Sequence, residues 1–419
     1  MALARPSLHF DFANAMGYLD PRIALTRAST ATTFNNLGLL ATVPANAPRF
    51  TYDPSSGIPG GLAIEDTATN LLLYSEQFDN AAWTKTSASI SANSTVAPDG
   101  NTTADTVTVS GANGAVTQAV TITAGEHLDL SVFAQALATP FLWLRITDGT
   151  NPVTAWFNLA TGAVGTTTAG GSTCAFAAAV IQALPGGWYR CALGVTTATN
   201  TSYTASISAA AADNTAPANT NSLVAWGAQA TQTTASADND PMSYIATTSA
   251  PVTRNADIVT IGTLDPAWYN AAAGTVVAEV RNFLAFPQIG VGFLFSLGDT
   301  GTDQIGVTLA GDPSAVVANV NMQAFSSTVQ QASLVDAVTL TPSSGVRVAV
   351  AWQANDFAMS VQGRACVTDS SGTLPAAPSR LVLGGRADQN PGVCLCKSLG
   401  RFSYWPLRLS NAQLQMLSS

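Results

Sequence analysis

The sequence predicts an all-β chain, built as an extended N-terminal region followed by two β-sandwich or jelly-roll modules. Three observations carry this. Short runs of Val, Ile, Thr, Leu and Phe recur between turn clusters such as Asp148-Gly149, Pro185-Gly186-Gly187 and Ser370-Ser371-Gly372. Many short strands with frequent turns are the pattern of sandwiches and jelly rolls. Helical periodicity is almost absent; the exception is Ser410-Asn411-Ala412-Gln413-Leu414-Gln415-Met416-Leu417, a short terminal turn with Ser410 as its N-cap. Apolar residues make up 47% of the chain and charged residues 10%, so a large core is available and the polar surface must be Thr, Ser, Asn, Gln and Ala.

At 419 residues the chain exceeds what one hydrophobic core usually serves. Three textures divide it. Residues 1–75 are punctuated by Pro, Asn and Arg with few long alternating runs, which predicts extended chain packed on its neighbours. Residues 76–254 are rich in Thr, Ala and Ser with repeated β alternation, and Ala235-Ser236-Ala237-Asp238-Asn239-Asp240-Pro241 closes that block. Residues 255–419 form a second strand-rich block.

Composition also excludes. A net charge of −9 with no Lys/Arg run argues against sequence-independent nucleic-acid binding, which needs a basic footprint. No segment approaches ~18 uninterrupted apolar residues, so no membrane insertion is expected. The opening MALARPSLHFDFANAM has no apolar h-region and carries Asp11, so no secretory signal is read there. The five cysteines, Cys174, Cys191, Cys366, Cys394 and Cys396, match no zinc spacing and are read as free thiols made in a reducing cytoplasm, with Cys191 a small core residue.

The first region contains Thr26-Arg27-Ala28-Ser29-Thr30-Ala31-Thr32, Pro48-Arg49-Phe50-Thr51-Tyr52-Asp53-Pro54 and Thr69-Asn70-Leu71-Leu72-Leu73-Tyr74-Ser75. In order and spacing these words resemble a segment of head-spike, head-fibre and tail-fibre proteins of tailed bacteriophages and gene transfer agents. The resemblance covers about a fifth of the chain. It implies a virion-anchoring segment at residues 1–75 that contacts other virion proteins, and a protein at the virion surface that lysis releases. The middle block, through Phe78-Asp79-Asn80-Ala81-Ala82-Trp83-Thr84-Lys85, Trp156-Phe157-Asn158-Leu159-Ala160-Thr161-Gly162, Gly187-Trp188-Tyr189-Arg190 and Trp226-Gly227-Ala228-Gln229, is similar to carbohydrate-binding-module β-sandwiches. The last block, through Val348-Ala349-Val350-Ala351-Trp352 and Gly400-Arg401-Phe402-Ser403-Tyr404-Trp405-Pro406, is similar to laminin-G/concanavalin-like jelly rolls. Such folds bind glycans in some proteins and are spacers in others.

Strand geometry narrows the candidate site. In Phe141-Leu142-Trp143-Leu144-Arg145-Ile146 side chains alternate faces, so Leu142, Leu144 and Ile146 point into the core while Trp143 and Arg145 point out. In the following run Val153, Ala155, Phe157 and Leu159 are the apolar face, leaving Thr154, Trp156 and Asn158 opposite. If Ile146 opposes Val153, then Trp143 opposes Trp156, Arg145 lies beside Thr154, and Phe141 lies beside Asn158. Three placements of this aromatic pair stay open: covered by a loop of the same sandwich, buried against another subunit, or exposed as a carbohydrate-binding platform of Trp143, Trp156, Arg145 and Asn158. Trp188, Trp226, Trp352 and Trp405 are read as packing residues, and Trp268 with Tyr269 as packing between the sandwiches.

Catalysis is not expected. His9 and His127 are the two histidines, and no Ser/His/Asp arrangement with a nucleophile elbow is present. Asp299, Asp303, Asp312 and Asp336 are the carboxylates a glycoside hydrolase would need, but they sit among Gly, Thr and Pro, where solvated Asp is usual. Asp99, Asp105 and Asp129 are candidate oxygen ligands for a structural calcium; no other cofactor is expected. The reading is therefore a non-enzymatic surface protein, a symmetric homo-oligomer that attaches to a host surface glycan. The alternatives are a purely structural decoration or fibre component and, third, a capsule depolymerase.

Overall fold

Alternating apolar residues and turn clusters produce antiparallel strands throughout, arranged as two sandwiches. The computed structural model describes residues 4–14, 17–233, 243–281, 291–312, 315–339, 345–376, 378–388, 394–395 and 397–419, with side chains at 311–318, 339 and 397 left aside. No helix among these residues is long and apolar enough to cross a membrane, a statement that does not extend to β-barrels.

The middle sandwich packs a nine-stranded sheet on a six-stranded one. The larger sheet runs Gly170–Gly171, Cys174–Ala183, Trp188–Thr197, His127–Ala136, Ser222–Thr233, Ala104–Val109, Ala88–Thr95. The smaller runs Ala163–Thr167, Pro152–Asn158, Phe141–Thr147, Ser202–Ala210, Ala115–Thr121, Thr84–Thr86. Between them lie Leu128, Leu130, Val132, Cys191, Leu193 and Val195 from one sheet and Leu142, Leu144, Ile146, Val153, Ala155 and Phe157 from the other, all buried. Cys191 is thus the core residue its alternation predicts. Removing these side chains from water is the main source of stability here.

The second sandwich joins an eight-stranded sheet, including Ala273–Arg281, Gly345–Gln353 and Lys397–Trp405, to a seven-stranded sheet, including Val291–Thr300, Asp303–Asp312 and Arg380–Leu383. Val276, Val348, Val350 and Trp352 meet Leu294, Phe295, Leu297, Ile305 and Val307 in its core. Trp268 and Tyr269 do not pack the two sandwiches together. Inside the second sandwich Trp268 meets Tyr404 edge-on and Tyr269 stacks on it, with centroids 5.6 and 6.1 Å away. The terminal helix Asn411–Ser418 begins with Ser410 in a reciprocal capping box with Gln413.

The described residues up to 75 are largely extended, and nearly every extended piece among them is spoken for. Leu8–Asp11 pairs with Lys397–Trp405, Ala24–Thr26 with Ile258–Ile261, and Pro59–Ile64 with both Phe50–Tyr52 and Lys397–Trp405. Ala68–Asn70 pairs instead with Ser222–Thr233 and Val252–Arg254 of the middle sandwich. The hairpin Ala31–Phe34/Leu40–Val43 lies on the outer face of the nine-stranded sheet, where Leu40 joins Phe133, Trp188, Trp226 and Tyr244 in a separate apolar cluster. Strand pairing therefore crosses the division expected at residue 75. The change from one sandwich to the other falls between Arg254 and Ile258.

A buried ionic hub ties these pieces together. Arg27 donates to Asp257 at 2.7 Å and to the Pro44 carbonyl at 2.7 Å. Arg49 bridges Asp257 and Glu65. Arg254 lies 3.6 Å from Glu65 and donates to the Asp66 carbonyl. Ser243 donates to Glu65 through its backbone N–H and hydroxyl. Burial alone would push the Glu65 carboxyl up. The Arg49 and Arg254 charges and the Ser243 hydrogen bonds outweigh burial and hold it well below its ordinary value of about 4.5. A depressed folded-state pKa means the contribution is complete above the unfolded value and is lost as pH falls below it. Urea midpoints are therefore expected to stay level from pH 7 to about 5 and to drop at more acidic pH. Glu65→Gln, measured alongside, should flatten that drop; an unchanged slope would remove Glu65 as its source.

Candidate functional site

The hairpin of the six-stranded sheet has the register its alternation predicts. Trp143 opposes Trp156, Arg145 opposes Thr154, Phe141 opposes Asn158, and Ile146 opposes Val153. What surrounds this face differs from an open platform. Trp143 is 8% exposed and Trp156 6% exposed, in a small cluster with Phe141, Ala115 and Ala210. The connection leaving Ala210 folds back over them. Its Thr215 carbonyl accepts a 2.7 Å hydrogen bond from Trp156 Nε1, and its Asp213 carboxylate accepts from the backbone N–H and hydroxyl of Thr166 at 2.8 and 2.9 Å. Gly165 makes room for this arrangement, since a Cβ there would sit 2.4 Å from Asp213 Oδ1. Asn158 is also occupied: its Oδ1 accepts from the N–H groups of Ala160 and Thr161 and closes a turn. Trp143, Trp156 and Asn158 are thus packing and turn residues, and the indole faces are not open to a sugar ring.

Arg145 remains. Its guanidinium carbon lies 5.9 Å from the Trp143 ring centroid, and its Nε has no hydrogen-bond partner. It sits in a row that crosses five strands in register: Thr84, Thr117, Ser206, Arg145, Thr154. The next row contains Ala119, Thr204 and Thr147, with Thr121 and Ser202 beyond. Ser206 and Thr154 are buried, so the accessible part is Thr84, Thr117, Thr204 and Thr147 with Arg145. With neighbouring strands ~4.8 Å apart, this terrace crosses four strands over about 14 Å. At its far edge, where the short Thr84–Thr86 strand stops, an open hollow of about 750 Å³ is lined by Thr84, Thr117, Ala119, Thr121, Thr204, Leu71, Leu73 and Pro251. Gln118 fixes the hollow's wall by exchanging two hydrogen bonds with the Leu73 backbone, at 2.6 and 3.0 Å. Sequence alternation already puts Thr117, Ala119 and Thr121 on one face, but the strand that aligns them with Arg145 is Ser202–Ala210, more than 80 positions further on.

The other candidates have local partners. Asp299 accepts from Ser379 and lies 3.4 Å from Arg380, Asp303 accepts from the Ser327 and Ala376 N–H groups, and Asp336 pairs with Arg364 at 3.0 Å. The Asp312 side chain and Cys396 fall outside the described residues. For the calcium expectation, Asp105 accepts from the N–H groups of Phe78 and Asn93, and Asp99 caps Asn101. Among the described residues no three His, Cys, Asp or Glu side chains are grouped to hold a metal ion. His9 bonds Ser403 at 2.8 Å.

No protein-family model and no curated protein sequence matches the chain. Among solved structures, it is similar to a heptameric SAP-like pentraxin from Limulus polyphemus (18% identity, TM-score 0.28, 36% of this chain and 70% of that one). It is also similar to the CBM40 module of a Ruminococcus gnavus IT-sialidase bound to α2,3-sialyllactose (15%, 0.29, 36% and 84%). A third is mouse laminin α1 LG4-5 (10%, 0.23, 69% and 85%). Likeness at this level assigns no function. The strand pairings themselves establish the all-β architecture.

Proposed function

We propose that this chain is a non-catalytic glycan-binding protein on the surface of a phage-like particle, attaching it to host polysaccharide through the outer face of the six-stranded sheet. The observation that carries the binding reading is the set of accessible threonine hydroxyls, Thr147, Thr204, Thr117 and Thr84, that runs from beside Arg145 into the 750 Å³ hollow. Shallow, hydroxyl-lined and open at the side, it suits a chain of sugars better than a compact metabolite. The particle assignment rests on the words of residues 26–75. Repeated copies on a particle, as a homo-oligomer, would make weak single-site affinity sufficient.

The test is binding of the full chain to host cells with and without their capsule, comparing wild type with Ala119→Trp, which fills the hollow. Ala337→Trp, on an exposed strand position of the second sandwich, is the control. Capsule-dependent binding reduced at least about ten-fold (~1.4 kcal/mol) by the first substitution and untouched by the second is the expected result. Absence of capsule dependence, or indifference to Ala119→Trp, would overturn the proposal.

A second reading, a structural particle component, is favoured by apolar exposure on the other face. Leu37, Ile58 and Val96 are all more than half exposed, near a hollow of about 320 Å³ lined by Leu39, Val96, Pro98, Leu184, Pro185 and Trp188. On that reading the cells bind no chain, and Leu37→Ser blocks assembly into particles.

A further inference from the structure

We infer that the site selects saccharides that carry a carboxylate, and that Arg145 is the residue that reads it; this rests on the glycan-binding reading above. The chain has 25 acidic and 16 basic residues, and its partly or fully buried arginines are mostly paired: Arg27 and Arg49 with Asp257, Arg281 and Arg347 with Glu279, Arg408 with Asp356. Arg145 is half-buried on a sheet face, and among the described residues it has neither an ion pair nor a hydrogen bond. A guanidinium stays charged at any physiological pH, and a charge partly withdrawn from water calls for an opposite charge or for donors and acceptors around it. Here its sheet neighbours are Thr154 and Ser206, and beneath it is the Trp143 ring.

That setting holds the side chain in place without neutralising it. The indole face attracts the cation, and Trp143 is itself fixed by packing against Trp156, which the Thr215 carbonyl anchors. The buried tryptophan pair is therefore a positioning device for the arginine. The planar fork of donors matches a carboxylate, which it can engage through two parallel hydrogen bonds. A single net cation matches one monoanionic group. Thr117 stands two strands from Arg145, about 10 Å away, so a ligand touching both is an oligosaccharide, with its acidic unit over Arg145 and further units running into the hollow. The overall charge of −9 opposes bulk attraction of a polyanion, so any retention of an acidic polymer must come from a local site.

The experiment is affinity electrophoresis of the full chain in gels containing polygalacturonate, alginate or hyaluronan. Companion gels hold carboxyl-reduced polygalacturonate, in which each carboxylate becomes a primary alcohol, neutral dextran, and dextran sulfate. Expected is retardation by at least one acidic polymer, at least ten-fold weaker in its reduced form. Arg145→Gln should lose that retardation by a similar factor, and Arg145→Lys should recover part of it, because it keeps the charge and loses the fork. Circular dichroism and a thermal melt establish that both variants fold; Thr117→Val gives an independent reduction should either fail to. Equal retention by reduced and unreduced polymer, or undiminished retention of Arg145→Gln, overturns carboxylate selection and leaves glycan binding standing. Retention by dextran sulfate equal to that by the carboxylated polymers also overturns it. Retention by none of the polymers, dextran included, counts against the glycan-binding reading itself.

Discussion

Replacing Asp257 with alanine is expected to destabilise the chain by about 3–5 kcal/mol, the range for breaking a buried ion pair from one side. Asp257 is fully buried, accepts from Arg27 and Arg49, and receives the Glu65 backbone N–H at 3.0 Å. Its removal leaves two buried guanidiniums short of an acceptor and one amide unpaired. The cost of those stranded groups, more than the pair's intrinsic worth, sets the size of the effect. Because the hub joins residues 27 and 49 to both sandwiches, tryptophan fluorescence in urea should report a lower midpoint, and brief proteolysis should nick the first 70 residues sooner. Asp257→Asn keeps the shape and should lie between. A loss below about 1 kcal/mol would mean water satisfies the arginines in the variant.

Trp156→Ala is expected to cost about 3–5 kcal/mol, as large-to-small substitutions of buried aromatics do. The indole fills the space between the Ala210–Ser222 connection and the sheet, and its N–H bond to the Thr215 carbonyl holds that connection down. Trp156→Phe should lose less, about 1–3 kcal/mol, from the smaller ring and the lost N–H bond to the Thr215 carbonyl. Thermal and urea denaturation of the two variants measures this. A Trp156→Ala chain as stable as wild type would put the indole on an open surface and reopen the platform reading; loss of glycan binding alone would not, because the pair also positions Arg145.

The contrast between that register and that burial marks what the sequence could tell. Facing of Trp143 to Trp156 was legible because the alternation on both strands and the short turn at 148–151 are local. Their cover was not, because the residues responsible, Asp213 and Thr215, lie more than 50 positions away and look like an ordinary polar turn. One local signal existed: the connection between Ser202–Ala210 and Ser222–Thr233 is too long for a tight hairpin and has room to fold back. The first 75 residues divide similarly. Their extended, neighbour-dependent character follows from the scarcity of alternating runs. Which neighbours they join depends on pairings such as Phe10 with Phe402 and on the convergence of Arg27, Arg49, Glu65 and Asp257. The words that carry the phage resemblance acquire a physical meaning here, since Arg27, Arg49 and Asn70 are buried and bonded rather than displayed.

The pairing of Leu8–Asp11 with Lys397–Trp405 has a consequence for biosynthesis. Ser7 and Tyr404, bonded at the end of that ladder, are 397 positions apart. At about 5–20 residues per second, a ribosome needs roughly 20–80 s to deliver the second partner after the first. Throughout that interval Leu8, Phe10 and Leu62 lack the strand that finally covers them. The middle sandwich, whose strands from 84 to 233 pair mostly among themselves, can be finished meanwhile. The chain is thus expected to mature from its centre outward, with the 397–405 strand as the closing step. Translation that halts before it would release molecules with a folded centre and open, apolar strand edges, the species most prone to aggregate.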